Sequence, residues 1–221
     1  MRREDMAVAR RTREEAEETR SAILEAALDL FSERGYCATS FGDIADRIGM
    51  TRGAVYWHFR EKAELLAALV NEMLRETVNK VQAEVPEVNT FEDLKAHFLA
   101  RTRIIVEDER VGKFIYFIAL QMEWSVETLA LTRKRLHELQ TLPFADVERF
   151  LAHAARSGYL REEYSVNSLL QVLSGMWKGI VQQHFMGVLE DDVCACVELG
   201  LDLFVQGVRS EAQVPRGDGN A

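Results

Sequence analysis

The chain has 221 residues, a length that favours one or two domains with room for a buried core. Hydrophobic residues make up 48%, charged residues 29%, and 3 residues are proline, which is typical of a globular helical protein and not of a disordered or collagen-like one. No window approaches 18 uncharged apolar residues and the amino-terminal stretch lacks an apolar signal. We therefore expect no membrane association and a cytoplasmic location.

Charge and cysteine placement narrow the class of function further. Cys37, Cys194 and Cys196 are an odd set without metal-ligand spacing, so we expect neither a disulfide framework nor a metal site. Reduced thiols packed as small apolar groups are expected, with a redox switch as the alternative. The net charge is −9, yet residues 1–62 carry 11 basic and 12 acidic side chains, whereas residues 63–221 carry 16 and 24. The excess of acidic side chains therefore lies in the carboxy-terminal part. It does not exclude a surface that binds nucleic acid in the amino-terminal part.

The first predicted helix begins near Thr19 and ends at Gly35. Its apolar stripe is formed by Ile23, Ala27, Leu30 and Phe31, and the glycine can adopt the left-handed conformation that closes a helix. The preceding residues include five arginines within the first 13, an arm of the kind that can enter a minor groove but is also often disordered.

Two short helices follow. Ser40 and Asp43 form a capping-box pattern that opens the second helix, and Gly49 ends it. After a short connection Thr51 caps the third helix. Two short helices joined by a tight glycine turn are typical of a helix-turn-helix, whose second helix fits the major groove of DNA.

The third helix has two different faces. Val55 and Phe59 are four residues apart on one face, which we expect to pack, and we assign Trp57 to the core as well. Arg52 and Tyr56, also four apart, share another face that is offered outward.

The rest of the chain is predicted to be helical, so the fold class is all-α. A long helix follows Lys62 and ends before Pro86. Strand-like alternation is absent, and we expect the tail "VPRGDGNA" to be disordered. The further helices are predicted at about 90–107, capped by Thr90 with Asp93; about 113–124; about 127–157, with a break near Pro143; about 165–186, capped by Ser165; and about 191–209.

Residues 23–66, "ILEAALDLFSERGYCATSFGDIADRIGMTRGAVYWHFREKAELL", resemble the DNA-binding domain of TetR-family transcriptional repressors. "RRTREEAEETR", "TRGAVYWHF" and the later "MEW" are most similar to the AcrR-type branch, which represses multidrug efflux pumps. "MAVARRT" resembles how relatives begin, which makes Met6 an alternative start. The resemblance implies a basic arm (1–18), a three-helix DNA-binding domain (19–64, helix-turn-helix at about 40–59), a larger effector-binding and dimerisation domain (65–210) and a tail (211–221).

The resemblance also implies which residues meet DNA. Arg52 is expected to read a base, since its guanidinium matches guanine O6 and N7. Gly53 permits close approach. The residues expected to fix register on the DNA backbone are Thr51, Tyr56, His58 and Lys62. Ser40 is also expected to bind DNA, and Arg60 is a secondary candidate.

Dimerisation and effector binding are assigned to the larger domain. In the family the last two long helices pair with those of a second subunit, which implies a dimer interface with Leu170, Leu173, Gly175, Gly179, Leu199, Leu203 and Phe204. The effector cavity is predicted to be lined by Phe98, Phe114, Phe117, Gln121, Trp124, Trp177 and Val181. The alternative is that both sets pack as ordinary core inside one chain.

The implied function is a repressor that binds a palindromic operator as a homodimer and is released by a small hydrophobic effector, with an efflux operon as its target. No cofactor is implied. A constitutive or partner-controlled DNA-binding regulator is the alternative. The five histidines lie in no catalytic motif, so an enzyme is not expected.

Overall fold

The structure is a computed structural model that describes residues 2–122, 125, 130 and 144–210, with residues 2–13 described by their backbone alone. Within these ranges nine α-helices and one isolated β-bridge, Leu160 with Arg209, are present, which confirms the all-α fold class. None of the helices described is long and apolar enough to cross a bilayer. The helices are α1 (Arg2–Arg34), α2 (Phe41–Arg47), α3 (Arg52–His58), α4 (Lys62–Glu84), α5 (Phe91–Glu107), α6 (Glu109–Tyr116), α7 (Ala145–Arg156), α8 (Val166–Phe185) and α9 (Val193–Val208).

The predicted helix boundaries are confirmed where local capping determines them. Ser40, Thr51, Thr90 and Ser165 each accept a hydrogen bond from a backbone N–H in the first turn of the helix that they cap. Gly35 has φ +86° directly after α1, the left-handed conformation that ends the helix. These side chains satisfy N–H groups that would otherwise lack partners.

Two predicted boundaries are wrong. The first helix does not begin near Thr19, because α1 is helical from Arg2; its Arg, Glu and Ala residues are all strong helix formers. The helix predicted at 113–124 begins at Glu109 and continues into a π-helical turn, Phe117–Gln121. The predicted helix over 127–157 with its break at Pro143, and the tail 211–221, lie largely or wholly outside the described residues.

The chain divides into two compact units. Unit 1 comprises Met1–Glu76 and Glu109–Thr141, and unit 2 comprises Thr77–Asp108 and Leu142–Ala221. In unit 1, α6 and the π-helical turn pack on α1, where the ring of Phe117 stacks on Phe31 with centroids 5.4 Å apart. Unit 2 is built on α5, α7, α8 and α9, and its core includes Phe98, Leu151, Leu173, Val197 and Leu201.

Candidate DNA-binding surface

Helix α2 is fixed at its start by a reciprocal pair. The Ser40 hydroxyl accepts from Asp43 N at 3.2 Å, while Asp43 Oδ2 accepts from Ser40 N at 2.7 Å and from Ser40 Oγ at 2.6 Å. These hydrogen bonds from Ser40 lower the pKa of Asp43. Ser40 therefore fixes the first turn of α2 through contacts within the chain. A DNA phosphate would have to compete with Asp43 for the hydroxyl proton of Ser40.

Helix α3 is held by one buried face. Thr51 Oγ1 accepts from Ala54 N at 3.3 Å, Val55 is 0% exposed, and Phe59, at the carboxy-terminal cap, is 2% exposed. Gly53 offers no side chain beside Arg52 and is exposed. The buried pair fixes the rotation of α3, so the opposite face is turned to solvent.

Arg52 and Tyr56 form a single ordered group on that outer face. Arg52 Nη2 donates to Tyr56 Oη at 3.1 Å, and the guanidinium carbon lies 5.3 Å from the centroid of the tyrosine ring. The same ring meets Phe41 edge-on at 4.9 Å, which ties it to α2. The base-reading candidate is therefore oriented before any DNA arrives.

The prediction that Trp57 belongs to the core is wrong. Its side chain is 74% exposed and contacts the ring of His58 edge-on with centroids 4.6 Å apart. The helical spacing contained the signal: Trp57 is two residues from Val55 and two from Phe59, which places it on the opposite side of the helix. A large exposed aromatic ring next to Tyr56 extends the outer face of α3.

His58 and Lys62 occupy more enclosed positions. Partial burial lowers the pKa of His58 below its ordinary 6.5, and the neighbouring charge of Arg20 adds to this, which favours the neutral imidazole. Lys62 Nζ donates to the carbonyls of Tyr36 at 2.8 Å, Thr39 at 3.0 Å and Cys37 at 3.3 Å. It also lies 4.4 Å from the centroid of the Tyr36 ring.

The three donors of the Lys62 ammonium are thus directed at the connection between α1 and α2. Burial lowers the pKa of Lys62. Because Ser40 begins α2 immediately after these carbonyls, Lys62 ties the start of α4 to the start of the helix-turn-helix. This contact joins residues 23 to 26 positions apart, which no local pattern could indicate.

Two short helices with a glycine turn, a buried inner face and an outer face bearing Arg52, Tyr56 and Trp57 define a helix-turn-helix DNA-binding protein. The profile of the bacterial regulatory proteins, tetR family, matches residues 23–69. The chain is 30% identical over 180 residues to the HTH-type transcriptional regulator AcrR of Shigella flexneri, covering 79% of this chain and 82% of that protein.

Two further relatives agree. The HTH-type transcriptional repressor BepR of Brucella suis biovar 1 (strain 1330) is 29% identical over 209 residues, which span 94% of this chain and 100% of BepR. The structure of SmeT, the repressor of the Stenotrophomonas maltophilia multidrug efflux pump SmeDEF, is similar with a TM-score of 0.68 and 26% identity, over 87% of this chain and 91% of SmeT. The chain therefore belongs to the tetR family of bacterial regulatory proteins and is a transcriptional regulator, not an enzyme.

The residues predicted for the effector and the dimer fall into distinct environments. Phe114, Phe117 and Gln121 belong to unit 1, and Phe98, Trp177 and Val181 to unit 2, whereas Trp124 lies outside the described residues. Of the dimer set, Leu173 and Phe204 are buried within unit 2, Leu170 and Gly179 are half-buried, and Gly175, Leu199 and Leu203 are exposed.

Proposed function

We propose that the chain is a ligand-responsive repressor that binds a palindromic operator as a homodimer, is released by a small hydrophobic effector and controls a multidrug efflux operon. The observation that carries this proposal is the preorganised Arg52–Tyr56 pair on the exposed face of α3. In this proposal Arg52 contacts the edge of a guanine base, and Tyr56 and Thr51 contact the DNA backbone next to that base. His58 and Gly53 complete the interface, while Ser40 and Lys62 support it from inside the chain by fixing the starts of α2 and α4.

Dimerisation is supported by an apolar face on the last two helices. Val172 on α8 is 60% exposed, and Leu199 and Leu203 on α9 are each 61% exposed. Leu199 and Leu203 are four residues apart and so share one side of α9. Exposed large apolar side chains of this kind mark an interaction surface, and a two-fold axis through it would present two recognition helices to two half-sites.

Effector binding is supported by an aromatic cluster in unit 2. The ring of Phe98 stacks on Phe144 at 5.5 Å and meets Trp177 at 5.8 Å, while Trp177 Nε1 donates to Thr102 Oγ1 at 2.9 Å. Both ring nitrogens of His97 are buried without a hydrogen-bond partner among the described residues. Aromatic walls with a few inward polar groups are what a small hydrophobic ligand requires.

Unit 1 supplies a means of coupling. Lys113 on α6 donates to Asp29 Oδ1 at 2.7 Å, and Arg47 on α2 pairs with Glu33 Oε2 at 2.7 Å and lies 4.0 Å from Asp29. Charged contacts therefore run from α6 through α1 to the helix-turn-helix. A displacement of α6 on effector binding would change the population of the DNA-competent arrangement.

The efflux assignment rests on likeness to SmeT, the repressor of a multidrug efflux pump, and the proposed action on operator DNA implies a cytoplasmic location. The first test is selection of bound genomic fragments by the purified chain, followed by fluorescence anisotropy on the enriched operator. Recovery of a palindrome beside a transporter operon is the expected result. Wild-type binding that is the same for the enriched operator and for random DNA would contradict the proposal.

The second test is a thermal-shift screen with dyes, bile salts, antibiotics and flavonoids, repeated as release of the operator in anisotropy. We expect at least one compound both to raise the melting temperature and to lower operator affinity. Operator binding that no compound affects would favour the constitutive or partner-controlled regulator instead.

A further inference from the structure

Unit 2 contains a cavity that none of the residues predicted for the effector lines. Its volume is about 700 Å³, within the size range of small-molecule sites. It lies where the start of α5, the helix α7, the segment after α7 and the end of α9 meet. Its apolar side is formed by Phe91 and Phe150, whose rings meet edge-on at 5.2 Å, and its polar side includes Tyr159, Arg161 and Arg209.

The backbone fixes the two arginines relative to each other. Leu160 and Arg209 form an antiparallel bridge, and Arg161 N donates to Val208 O at 3.0 Å. Arg161 Nε in turn donates to Arg209 O at 3.3 Å. Two guanidinium groups are thus held at one cavity, although the carboxy-terminal part of the chain is acidic as a whole, so the cavity is a local concentration of positive charge.

Arg209 is oriented by an aromatic ring. Its guanidinium carbon lies 4.6 Å from the centroid of Phe91. Stacking uses the flat face of a guanidinium and leaves the N–H groups along its edge able to bind a carboxylate with two parallel hydrogen bonds. Among the residues that the structure describes, no carboxylate pairs with this group; Arg161, by comparison, has Glu163 Oε1 at 4.0 Å.

We propose that this cavity is a second ligand site, separate from the effector site, and that it binds a small organic anion with a flat apolar body. Arg209, with Arg161 beside it, receives the carboxylate, and the rings of Phe91 and Phe150 contact the apolar body. An anion there bridges the start of α5 to the end of α9, so it stabilises unit 2 by binding the folded state.

The test is isothermal titration calorimetry of the full chain with 2-naphthoate and with 2-naphthamide, which has the same ring system without the charge. We expect naphthoate to bind at least about tenfold more tightly, in line with a charge-assisted bidentate contact. Arg209→Met keeps an unbranched stem over Phe91 but removes the guanidinium. It should weaken naphthoate binding by about tenfold and leave naphthamide unchanged.

Two further variants locate the site. Gln206→Trp, on an exposed lining residue of α9, fills the cavity without removing charge and should abolish binding of both compounds. Arg156→Met removes an exposed charge at the end of α7 outside the lining and should leave both affinities within about twofold. Equal affinity for the two compounds, or equal losses in Arg209→Met and Arg156→Met, would overturn the proposal.

Operator affinity without ligand, measured on the same variants, separates this site from the proposed function. None of the three substitutions touches the outer face of α3. Operator binding should therefore be unchanged in Arg209→Met and Arg156→Met, whichever way the calorimetry turns out. Circular dichroism melting of each variant confirms that the loss of naphthoate binding is not a loss of folding.

Discussion

Arg52 and Tyr56 are hydrogen-bonded to each other one helical turn apart, with Nη2 and Oη separated by 3.1 Å. The pair extends from the exposed face of a seven-residue helix whose other face carries Val55 in the core. The guanidinium therefore keeps one orientation. The conformational entropy of its side chain is lost when the chain folds, so less is lost when it binds DNA.

Replacing Arg52 should reduce sequence discrimination. Arg52→Ala is expected to weaken operator binding by about 1–3 kcal/mol and to relax preference at one base pair, since a bidentate contact to guanine is lost. Fluorescence anisotropy on the operator and on single-base variants measures both effects. Arg75→Ala, which removes an exposed charge on α4, is the matched control and should affect all sequences equally and weakly. If Arg52→Ala weakens binding to the operator and to its single-base variants as equally and weakly as Arg75→Ala does, Arg52 does not read a base.

Lys62 gives a prediction about stability. Because its three donors meet the carbonyls of Tyr36, Cys37 and Thr39, Lys62→Met should lower the free energy of unfolding by about 1–3 kcal/mol. Urea denaturation measures this change. The slope of log affinity against log salt should stay the same for the variant. A slope that is shallower by about 0.9 would instead identify Lys62 as a phosphate contact, the role inferred from the sequence.

Trp57 should matter for binding and not for folding. The ring is 74% exposed, so Trp57→Ala is expected to change the free energy of unfolding by less than about 0.5 kcal/mol. Operator affinity should fall, because the exposed ring next to Tyr56 loses apolar contact with the groove. Denaturation and anisotropy on the same preparation separate the two effects. A variant that unfolds more easily but binds normally would return Trp57 to a packing role.

The exposed apolar face of α9 predicts the oligomeric state. Leu199→Glu with Leu203→Glu should convert a dimer to a monomer at micromolar concentration, because four charges would be buried across a two-fold interface. Sedimentation velocity reports the change, and operator affinity should fall with it. The control is Val106→Glu on α5, whose side chain is 47% exposed. A wild-type chain that sediments as a monomer would contradict the dimer directly.

His97 predicts a pH dependence of stability. Burial, reinforced by the charge of Arg101, lowers the pKa of His97 to about 4 in the folded chain. The unfolded chain, in which the pKa is near 6.5, therefore takes up the proton first, and stability falls as the pH is lowered through this window. The loss reaches about 3 kcal/mol near pH 4, because each tenfold difference in proton affinity corresponds to about 1.4 kcal/mol.

The variant His97→Leu isolates that contribution, since the carboxylates titrate in both proteins. Urea denaturation measures the free energy of unfolding of both proteins at pH 7 and near pH 4. From pH 7 to pH 4 the difference between the variant and the wild type should change by about 3 kcal/mol in favour of the variant. If the free energies of unfolding of the wild type and of His97→Leu change in parallel with pH, the His97 ring is protonated in the folded chain, for instance by pairing with a carboxylate.

The parts of the fold that were predictable are those determined within a few residues. The caps at Ser40, Thr51, Thr90 and Ser165 and the left-handed Gly35 follow from local hydrogen bonding and sterics, and a pattern of that length indicates them directly. The inner face of α3 followed from the spacing of Val55 and Phe59. The same spacing puts Trp57 on the outside, whereas its aromatic character favours the core; position on the helix decides.

The remaining features depend on chain segments that are distant in sequence. The Lys62 contacts need the connection between α1 and α2 to fold back against α4, and the cavity at Arg209 needs α5, α7 and α9 to meet. All the residues predicted for the effector except Gln121 are apolar. Buried cores and the walls of ligand pockets use the same apolar residue types, so composition alone does not assign these residues to either.

Arg110, near the start of α6, joins this helix to α1 and α4. Its guanidinium pairs with Glu25 of α1 and with Glu72 and Glu76 of α4, so one cation compensates three anions. If α6 were withdrawn, those carboxylates would repel one another across the gap between α1 and α4. The pairing therefore holds α6 against α1 and α4, and any displacement of α6 must supply the energy to separate one cation from three carboxylates.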